Sequence, residues 1–367
     1  MKRDYRVLLV DLAQSYGGAE VRVITQAKYL QDRVAHCAVA VLQNSPLHQR
    51  LQEMNLPCEP LSIGRGSPRM GLALRHIAQH GKYQLIDAHN VHSILWGHLG
   101  GYLGGTRGLV STMHSDYGKE YPGLKGIFYE STLWLNRRIA REYITVTEVL
   151  QEKYAALISS TLIHNAVPIP ELPLPPKNPD LIRSWGFSPD DFIVVIPARL
   201  KPVKGHRYLI DAFAQLDDFP QVKLLIAGDG PLQPELEAQV NALNLADRVH
   251  FAGFRQDIPA ILQSVDSVCM ASLSEALPYA VLEAGSYARP LLVTAVGGMA
   301  TLLEDHKTAL LVPPQDAAAL ANGLRELVTR PEQTRQLGLA AYELVKNSFS
   351  TEVMIDKILK VYDNAVK

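Results

Sequence analysis

The sequence predicts an α/β protein built from two doubly wound, Rossmann-like domains. Short runs rich in Val, Ile and Leu alternate with longer amphipathic segments, an order typical of parallel strands joined by crossover helices. The alternation stops at a cluster of prolines and then begins again. A chain of 367 residues, of which 47% are hydrophobic and 20% charged, is long enough to form two such cores.

The first half of the chain contains six candidate strands, with helices between most of them. The strands lie at residues 7–12, 38–42, 85–88, 108–113, 144–146 and 161–163. Six prolines follow between Pro168 and Pro179. Because proline lacks an amide hydrogen and disfavours both helix and sheet, these residues predict a linker. We place the N-terminal domain at residues 1–170 and the linker at residues 171–180.

The second half repeats the pattern in residues 181–349, which we take as the C-terminal domain. Its candidate strands lie at residues 193–197, 223–227, 249–251, 267–270, 291–294 and 309–312. Ligand-binding loops are expected at the carboxyl ends of such strands. A last helix over residues 351–366 has an apolar stripe that needs a surface to cover. We therefore expect residues 350–367 to pack back on the N-terminal domain, and the two domains to face each other across a cleft.

Charge is distributed unevenly between the two halves. Residues 1–170 contain 18 Lys and Arg against 13 Asp and Glu, a net charge of +5, whereas the remainder contains 18 against 24, a net charge of −6. This asymmetry implies different partners for the two halves. The sequence has no run of eighteen apolar residues and no convincing signal peptide, so we expect a cytoplasmic protein.

Residues 272–284 join a predicted strand to a helix and carry two carboxylates. Pro278 favours a helix start, where unpaired backbone N–H groups attract an anion. Glu275 lies just before the helix and Glu283 about two turns along it. Carboxylates suit the hydroxyls of a sugar and a ribose better than they suit phosphate. The alternative is that Glu275 only interacts with the helix dipole and Glu283 is a solvated surface residue.

A second candidate site is the loop at residues 197–206, which leaves the carboxyl end of a strand. Arg199 and Lys204 are close enough in sequence to reach one polyanion together, arginine as a fork and lysine as a point charge. They would also be unremarkable as surface charges on a connection.

Two glycine segments and one histidine follow other strands. Gly17-Gly18 and Gly228-Asp229-Gly230 could bring backbone close to a ligand or simply form tight turns, and neither completes a dinucleotide-binding motif. His114 follows a buried strand at its carboxyl end, where it is either functional or structural. The histidines show no zinc-binding spacing, so we expect no metal site.

Taken together, these segments resemble the large retaining glycosyltransferase family four, which has the GT-B fold of two Rossmann-like domains. The resemblance covers nearly the whole chain, through motifs whose order and spacing are specific. They are Gly17-Gly18-Ala19-Glu20, Asp87-Ala88-His89, Thr112-Met113-His114, residues 163–168, Ala198-Arg199-Leu200 with Lys204-Gly205, Gly228-Asp229-Gly230-Pro231, residues 249–253, Glu275 with Glu283, Gly297-Gly298 with Glu304, and residues 310–314.

The resemblance implies a role for each candidate residue. Arg199 and Lys204 would grip the donor diphosphate, Glu283 the ribose, and Glu275 would lie by the transferred sugar. The backbone amides of Ala276 and Leu277 would meet phosphate or sugar oxygens. The remaining assignments are His114 beside the reacting sugar, Gly17 and Gly18 over the donor and acceptor, and Gly253, Phe254 and Arg255 at the base. The implied catalytic residues are His114, Arg199, Lys204 and Glu275.

The family pattern is not complete in this chain. Ala276-Leu277-Pro278 stands where many members have a glycine or phenylalanine, and Met113 stands where a second histidine is frequent. Both departures bear on sugar and acceptor specificity rather than on reaction class.

The resemblance implies no cofactor, with a nucleoside diphosphate sugar as co-substrate and UDP favoured over GDP. Because Arg199, Lys204 and a helix N-terminus can stabilise the leaving diphosphate, no metal is expected. The implied acceptor is a glycan or lipid-linked molecule in bacterial surface glycan or glycolipid assembly, and no nucleic acid is involved. Residues 126–141 mix aromatics with three arginines, which predicts either peripheral membrane contact or an ordinary inter-strand helix with buried aromatics.

Two other classes of protein fit parts of the pattern. A GT-B nucleotide-sugar epimerase or a sugar phosphorylase shares the fold, and product analysis without acceptor identifies an epimerase. A non-catalytic sugar-binding protein with two α/β lobes usually has an export signal and several interlobe crossings, whereas this sequence shows one proline-rich linker.

Overall fold

The computed structural model describes residues 2–115, 123–275 and 277–367, which divide into two compact units. The N-terminal unit comprises Met1–Ala166 and Thr351–Lys367, and the C-terminal unit comprises Val167–Ser350. The predicted domain boundaries lie at 170/171 and 349/350. Within the described ranges, no helix combines the length and apolar composition needed to cross a membrane.

The N-terminal unit is built on a parallel sheet of seven strands in the order β3-β2-β1-β4-β5-β6-β7. The strands are β1 (Arg3–Asp11), β2 (Val34–Leu42), β3 (Cys58–Leu61), β4 (Leu85–His89), β5 (Gly108–Met113), β6 (Glu142–Thr145) and β7 (Thr161–Leu162). The helices that alternate with them are α1 (Gly18–Leu30), α2 (Pro46–Glu53), α3 (Arg69–His80), α4 (Val91–Gly104), α5 (Leu124–Asn136) and α6 (Glu148–Tyr154).

The C-terminal unit repeats this design with six parallel strands in the order β10-β9-β8-β11-β12-β13. They are β8 (Phe192–Pro197), β9 (Val222–Ala227), β10 (Val249–Gly253), β11 (Ser267–Met270), β12 (Leu291–Thr294) and β13 (Leu310–Val312). Its helices are α7 (Pro179–Ser184), α8 (His206–Phe213), α9 (Gln233–Ala242), α10 (Ile258–Ser264), α11 (Tyr279–Ser286), α12 (Gly297–Leu302), α13 (Ala317–Thr329) and α14 (Pro331–Ser348).

Both sheets are covered on both faces, which confirms the predicted fold class of two doubly wound domains. In β1, Val7 and Leu9 enter one apolar cluster while Leu8 and Val10 enter another. The strands of the C-terminal unit divide their residues between two clusters in the same way. Since both faces are buried, the strands read as continuous apolar runs and could be recognised in the sequence.

The last helix, α15 (Thr351–Ala365), belongs to the N-terminal unit. Its buried face includes Met354, Ile358 and Tyr362, which join the same apolar cluster as Val7 and Leu9. The surface that its apolar stripe covers is therefore one face of the seven-stranded sheet.

The structure corrects two details of the sequence analysis. Strand β3 was missed because it is short, contains Pro60 and Glu59, and lies at the sheet edge with only Leu61 buried. The proline-rich linker does not extend without regular structure to residue 180. Helix α7 begins at Pro179, since proline suits the first helical turn, and the Asn178 side chain caps it.

Candidate active site

The predicted site residues lie mainly where the strand order of each sheet reverses. In the C-terminal unit, β8 and β11 are neighbours, but the chain proceeds from β8 to β9 on one side and from β11 to β12 on the other. Loops that leave the carboxyl ends of two such strands diverge and leave a crevice, the usual ligand site of doubly wound folds. Arg199 and Lys204 follow β8, and Glu275 follows β11.

The structure brings Lys204 and Glu275 together. The Lys204 Nζ atom donates to Glu275 Oε1 at 2.5 Å, and the Ser272 hydroxyl donates to the same oxygen at 2.7 Å. Their side chains are only 23% and 9% exposed, respectively, so solvent screens this ion pair less than a surface pair. The loops after β8 and β11 thus place a cation and a carboxylate side by side.

Backbone contacts hold the same two loops together. The amide of Leu273 donates to the carbonyl of Val203 at 2.8 Å. Gly205 has φ = 68°, and a Cβ atom there would lie 1.9 Å from the carbonyl oxygen of Ala271. Because only glycine tolerates both the left-handed backbone and this close approach, Gly205 sets the distance between the loops.

The loop after β12 fixes the backbone of Glu275. The amide of Gly298 donates to the carbonyl of Glu275 at 3.3 Å, and a Cβ atom on Gly297 would lie 1.7 Å from that oxygen. The Thr294 hydroxyl donates to the carbonyl of Ser272 at 2.5 Å. The carboxylate therefore projects from a segment that the neighbouring strand supports.

The glycine segment after β9 supports the Arg199 loop. Leu200 donates its amide to the carbonyl of Asp229 at 2.8 Å, and Leu232 donates to the carbonyl of Leu200 at 3.3 Å. Gly228-Asp229-Gly230 is thus a tight turn packed on the loop after β8, in keeping with its simpler interpretation.

Glu283 lies on α11, separated from Glu275 by the start of that helix. It is partly buried, and burial raises the pKa of its carboxyl above the ordinary value. Among the described residues, its carboxylate has no hydrogen-bond partner. It is therefore not the freely solvated residue of the alternative interpretation. Ala276 lies outside the described residues, whereas Leu277 packs beside the cluster around Leu282 and Val345.

The predicted base-binding segment lies at the end of the edge strand β10. Gly253 ends that strand with φ = 65°, and the ring of Phe254 is 67% exposed. Arg255 forms a two-pronged ion pair with Asp257 at 2.8 and 2.5 Å, which lowers the pKa of the Asp257 carboxyl. This segment thus presents the exposed ring of Phe254, and the neighbouring Arg255 is already paired with Asp257.

In the N-terminal unit, the glycine loop leads into helix α1. Gly17 precedes the helix and donates its amide to Glu20 Oε2 at 2.6 Å, and Gly18 is the first helical residue. Burial raises the pKa of the Glu20 carboxyl. The capping contact ties the loop to the helix and leaves the glycine backbone at the carboxyl end of β1.

Asp11, the last residue of β1, is a candidate functional residue that the sequence pattern did not single out. Its Oδ1 atom accepts from Ala13 N at 2.9 Å and from Asn90 Nδ2 at 2.6 Å, while Oδ2 is buried without a partner among the described residues. Burial, together with the nearby charge of Glu20, raises the pKa of Asp11 to about 7. The available sequence signal was an acidic residue at the carboxyl end of a buried strand.

His114 pairs with His89, the last residue of β4, which the sequence placed only within the motif Asp87-Ala88-His89. Its Nε2 atom lies 2.9 Å from His89 Nδ1, and the two rings stack with centroids 5.1 Å apart. Burial holds the pKa of the His114 ring well below its usual range. His114 is therefore uncharged near neutral pH.

A third histidine of this unit, His98, has a structural role. His98 is buried and bonds Asn136 Oδ1 at 2.7 Å and the carbonyl of Val110 at 2.8 Å. In the part of the chain that the structure describes, no three His, Cys, Asp or Glu side chains are arranged to hold a metal ion.

Two family descriptions match this chain. Residues 16–170 match the Glycosyltransferase Family 4 description, and residues 177–344 match Glycosyl transferases group 1. The two matches correspond to the two units and together include each predicted site residue.

Individual relatives are similar over different lengths. The chain is 32% identical to an alpha-D-kanosaminyltransferase of Streptomyces kanamyceticus over 189 residues, which is 51% of this chain and 49% of the relative. It therefore spans about half the length of that protein. It is 23% identical to the UDP-Gal:alpha-D-GlcNAc-diphosphoundecaprenol alpha-1,3-galactosyltransferase of Escherichia coli, covering 80% of this chain and 79% of the relative. The crystal structure of Anabaena HepE in complex with UDP superposes with a TM-score of 0.82 and 25% identity, covering 98% and 99% of the two chains.

A glycine exchange tests whether contact between the β8 and β11 loops sets the site. A left-handed backbone costs an L-residue about 1–2 kcal/mol. We expect Gly205→Ala to destabilise the protein by more than this amount, because the two loops must also move apart. Gly186→Ala is the matched control, since Gly186 has φ = 79° but its Cβ atom would meet nothing within 4 Å. Urea unfolding of both variants measures the difference, and equal losses would contradict the close-approach argument.

Proposed function

This chain belongs to glycosyltransferase family four, and on that premise we propose that it transfers a sugar from a nucleoside diphosphate sugar to an acceptor hydroxyl. We propose that the anomeric configuration is retained and that the product belongs to bacterial surface glycan or glycolipid assembly. The observation that carries the proposal is the pairing of Lys204 with Glu275, where the strand order of the C-terminal unit reverses and where Arg199 belongs to the same loop as Lys204.

The paired charges suit the two parts of such a donor. Lys204 and Arg199 offer cationic groups to the diphosphate, and Glu275 offers acceptor oxygens to sugar hydroxyls. In the structure Lys204 donates a hydrogen bond to Glu275, and its ammonium group has further hydrogens that could bind a diphosphate at the same time.

The proposed chemistry requires stabilisation of charge on both sides of the breaking bond. Negative charge grows on the leaving diphosphate, and positively charged groups that are already in place lower the barrier. Arg199, Lys204 and the backbone amides that precede α11 would fill this role without a metal ion. By family resemblance, the acceptor attacks from the face that the diphosphate leaves, and the diphosphate assists its deprotonation.

Glu283 is proposed to bind the ribose hydroxyls. Its partly buried carboxylate lacks a partner within the described ranges, and two vicinal hydroxyls would supply donors that offset its loss of solvation. Phe254, which is exposed at the end of β10, is proposed to border the base, and Arg255 flanks it.

We propose UDP rather than GDP as the nucleotide. The support is that Anabaena HepE was crystallised with UDP and that the E. coli relative is named for a UDP-linked donor. The transferred sugar differs among the named relatives, and Leu277 and Pro278 depart from the family pattern next to the sugar-binding Glu275.

We also propose a lipid-linked acceptor and peripheral contact with the inner face of the membrane. Ile127, Phe128, Trp134 and Leu135 on α5 are between 45% and 64% exposed, whereas Tyr129 and Leu133 are buried. The helix thus buries only part of its aromatic face. The Arg137 and Arg138 guanidinium groups lie 4.9 and 5.3 Å from the centre of the Trp134 ring. An apolar patch bordered by arginines suits an anionic lipid surface.

An acceptor-free incubation separates this proposal from its rivals. A transferase converts little donor until a sugar acceptor is supplied, a GT-B epimerase converts the nucleotide sugar in water alone, and a binding protein converts none. Product analysis of a panel of UDP-sugars with and without acceptor therefore decides the reaction class, and epimerised donor without acceptor would contradict transfer.

We expect Lys204→Ala and Arg199→Ala each to lower turnover by about two to three orders of magnitude, the usual effect of removing one preorganised partner of a developing anion. Lys201→Ala is the control, because it removes the same charge from an exposed position in the same loop. Steady-state rates at saturating donor measure the effect. If Lys204→Ala and Arg199→Ala turn over as fast as Lys201→Ala, with circular dichroism unchanged, Lys204 and Arg199 do not bind the diphosphate as proposed.

The two glutamates should separate nucleotide binding from sugar use. We expect Glu283→Ala to weaken binding of free UDP, because the ribose hydroxyls lose their acceptor. Glu275→Ala should leave UDP affinity nearly unchanged, since Lys204 remains, but should impair use of the complete donor. Calorimetric titration with UDP and rate measurements with the UDP-sugar compare them. Equal losses of UDP affinity would contradict this division.

Vesicle flotation tests the membrane proposal. We expect the wild-type protein to bind vesicles that contain phosphatidylglycerol, and Arg137→Gln and Arg138→Gln each to weaken binding about fivefold, in line with about 1 kcal/mol per basic side chain near an anionic surface. Trp134→Ala should weaken it further, whereas Leu72→Ala, which removes an exposed side chain from α3, should not. Wild-type protein that stays unbound at low salt would refute the contact.

A further inference from the structure

We propose that Asp87, acting through His89, fixes the tautomer of His114 so that the Nδ1 atom of His114 accepts a hydrogen bond from a substrate hydroxyl. Asp87 and His89 are then positioning residues, and His114 is the group that meets the substrate. The inference rests on the proposed function only in naming a sugar or acceptor hydroxyl as the donor of that hydrogen bond. All three residues belong to the N-terminal unit.

The chain of contacts begins at a buried carboxylate. Asp87 lies in β4 with no exposed surface, and Oδ1 accepts from the Thr112 hydroxyl at 2.8 Å. Its Oδ2 atom accepts from Gln26 Nε2 at 2.8 Å and from the Tyr362 hydroxyl at 2.6 Å. Although burial alone would raise the pKa of this carboxyl, its contact with His89 and the hydrogen bonds that it accepts from Tyr362 and Gln26 hold that pKa far below its usual range. Asp87 is therefore negatively charged.

His89 faces this charge with its Nε2 atom. The distance from Nε2 to Asp87 Oδ2 is 3.5 Å, and Nε2 has no hydrogen-bond partner elsewhere in the described residues. Because the ring is fully buried, the proton is most stable on the nitrogen nearest the carboxylate. With the proton on Nε2, the Nδ1 atom of His89 keeps its lone pair.

That lone pair decides the tautomer of His114. The 2.9 Å contact between His89 Nδ1 and His114 Nε2 needs one proton between the two nitrogens. Since His89 Nδ1 accepts, His114 Nε2 must be the donor. His114 is uncharged because burial lowers its pKa, so it carries no second ring proton. Its Nδ1 atom is left as an acceptor.

The free acceptor lies where a ligand can reach it. His114 directly follows β5, is only partly buried, and its Nδ1 atom has no partner among the described residues. A hydroxyl group is the substrate group that donates to such a nitrogen. The arrangement therefore selects His114 as a hydrogen-bond acceptor and excludes it as a donor while His89 remains singly protonated.

If both ring nitrogens of His89 carried hydrogen, the direction of the hydrogen bond between His89 and His114 would reverse. Both His89 nitrogens would then donate, His114 Nε2 would accept, and the single proton of His114 would lie on Nδ1. The two states differ in one observable property, namely which ring nitrogen of His114 carries hydrogen.

Nuclear magnetic resonance of the full-length protein labelled with ¹⁵N-histidine measures this property directly. Long-range proton–nitrogen correlation spectra distinguish the two neutral tautomers and the charged form, and His114→Gln and His89→Gln assign the signals. We expect hydrogen on Nε2 of both His89 and His114 at neutral pH. A His114 ring with hydrogen on Nδ1, or a charged His89, in the wild-type protein would overturn the proposal.

Two matched variants test the role of Asp87. Asp87→Asn removes the charge that fixes His89, so we expect the His114 proton to move to Nδ1 and the transfer rate to fall by about tenfold to a hundredfold, as for partners that orient a functional group. UDP affinity should not change. Tyr362→Phe removes one donor to Asp87 but leaves its charge, so it should keep the wild-type tautomer even if it lowers stability. If His114 keeps its wild-type tautomer in Asp87→Asn, Asp87 does not fix that tautomer and the proposal is overturned.

The two measurements also separate this inference from the proposed function. The tautomer is observed without substrate, so it stands or falls even if no transferase activity is found with any UDP-sugar. If the protein is an active transferase and His114 nevertheless carries its hydrogen on Nδ1, the tautomer proposal is refuted and the proposed function is not.

Discussion

The ion pair between Lys204 and Glu275 depends on the way the C-terminal sheet is wound. The two residues follow β8 and β11, neighbouring strands whose connections leave in opposite directions. Parallel strands bring their carboxyl ends to one edge, so residues distant in sequence meet there. Gly205 and the Leu273–Val203 hydrogen bond fix the spacing of the loops, and Gly297 supports Glu275 from the next strand. The proposed donor site is thus a property of the packing of three loops.

The sequence predicted the architecture well because burial on both faces makes parallel strands nearly uniformly apolar. The same reason explains the failure at β3, where edge position allows Pro60 and Glu59 to remain in the strand. Helix α7 likewise begins inside the proline cluster because Asn178 caps it and Pro179 fits its first turn. Composition averaged over the cluster could not reveal a local capping motif.

The sequence also located the candidate loops, because function gathers at strand ends in doubly wound folds. It could not predict which side chains pair. The contact between His89 and His114 requires the register of β4 against β5, in which His89 lies opposite Thr112. The unpartnered oxygen of Asp11 depends on where Asn90 and the loop after β1 come to rest. Such relations arise only once strands are aligned and rotamers chosen.

The candidate sites of the C-terminal and N-terminal units present different charges. In each unit, the charge at the site does not follow the net charge of that half of the chain. The half from residue 171 carries −6, yet its candidate site contains Arg199 and Lys204, so binding of a diphosphate would rest on local cations rather than on long-range attraction. The half before it carries +5, yet its strand ends present an uncharged His114 and the buried carboxylates of Asp11 and Asp87. Neutral acceptors and buried carboxylates suit hydroxyl groups, whereas lysine and arginine side chains suit phosphate. The basic surplus of the N-terminal half is instead available to surfaces such as the arginine-bordered patch on α5, where it would attract an anionic membrane without disturbing the chemistry at the strand ends.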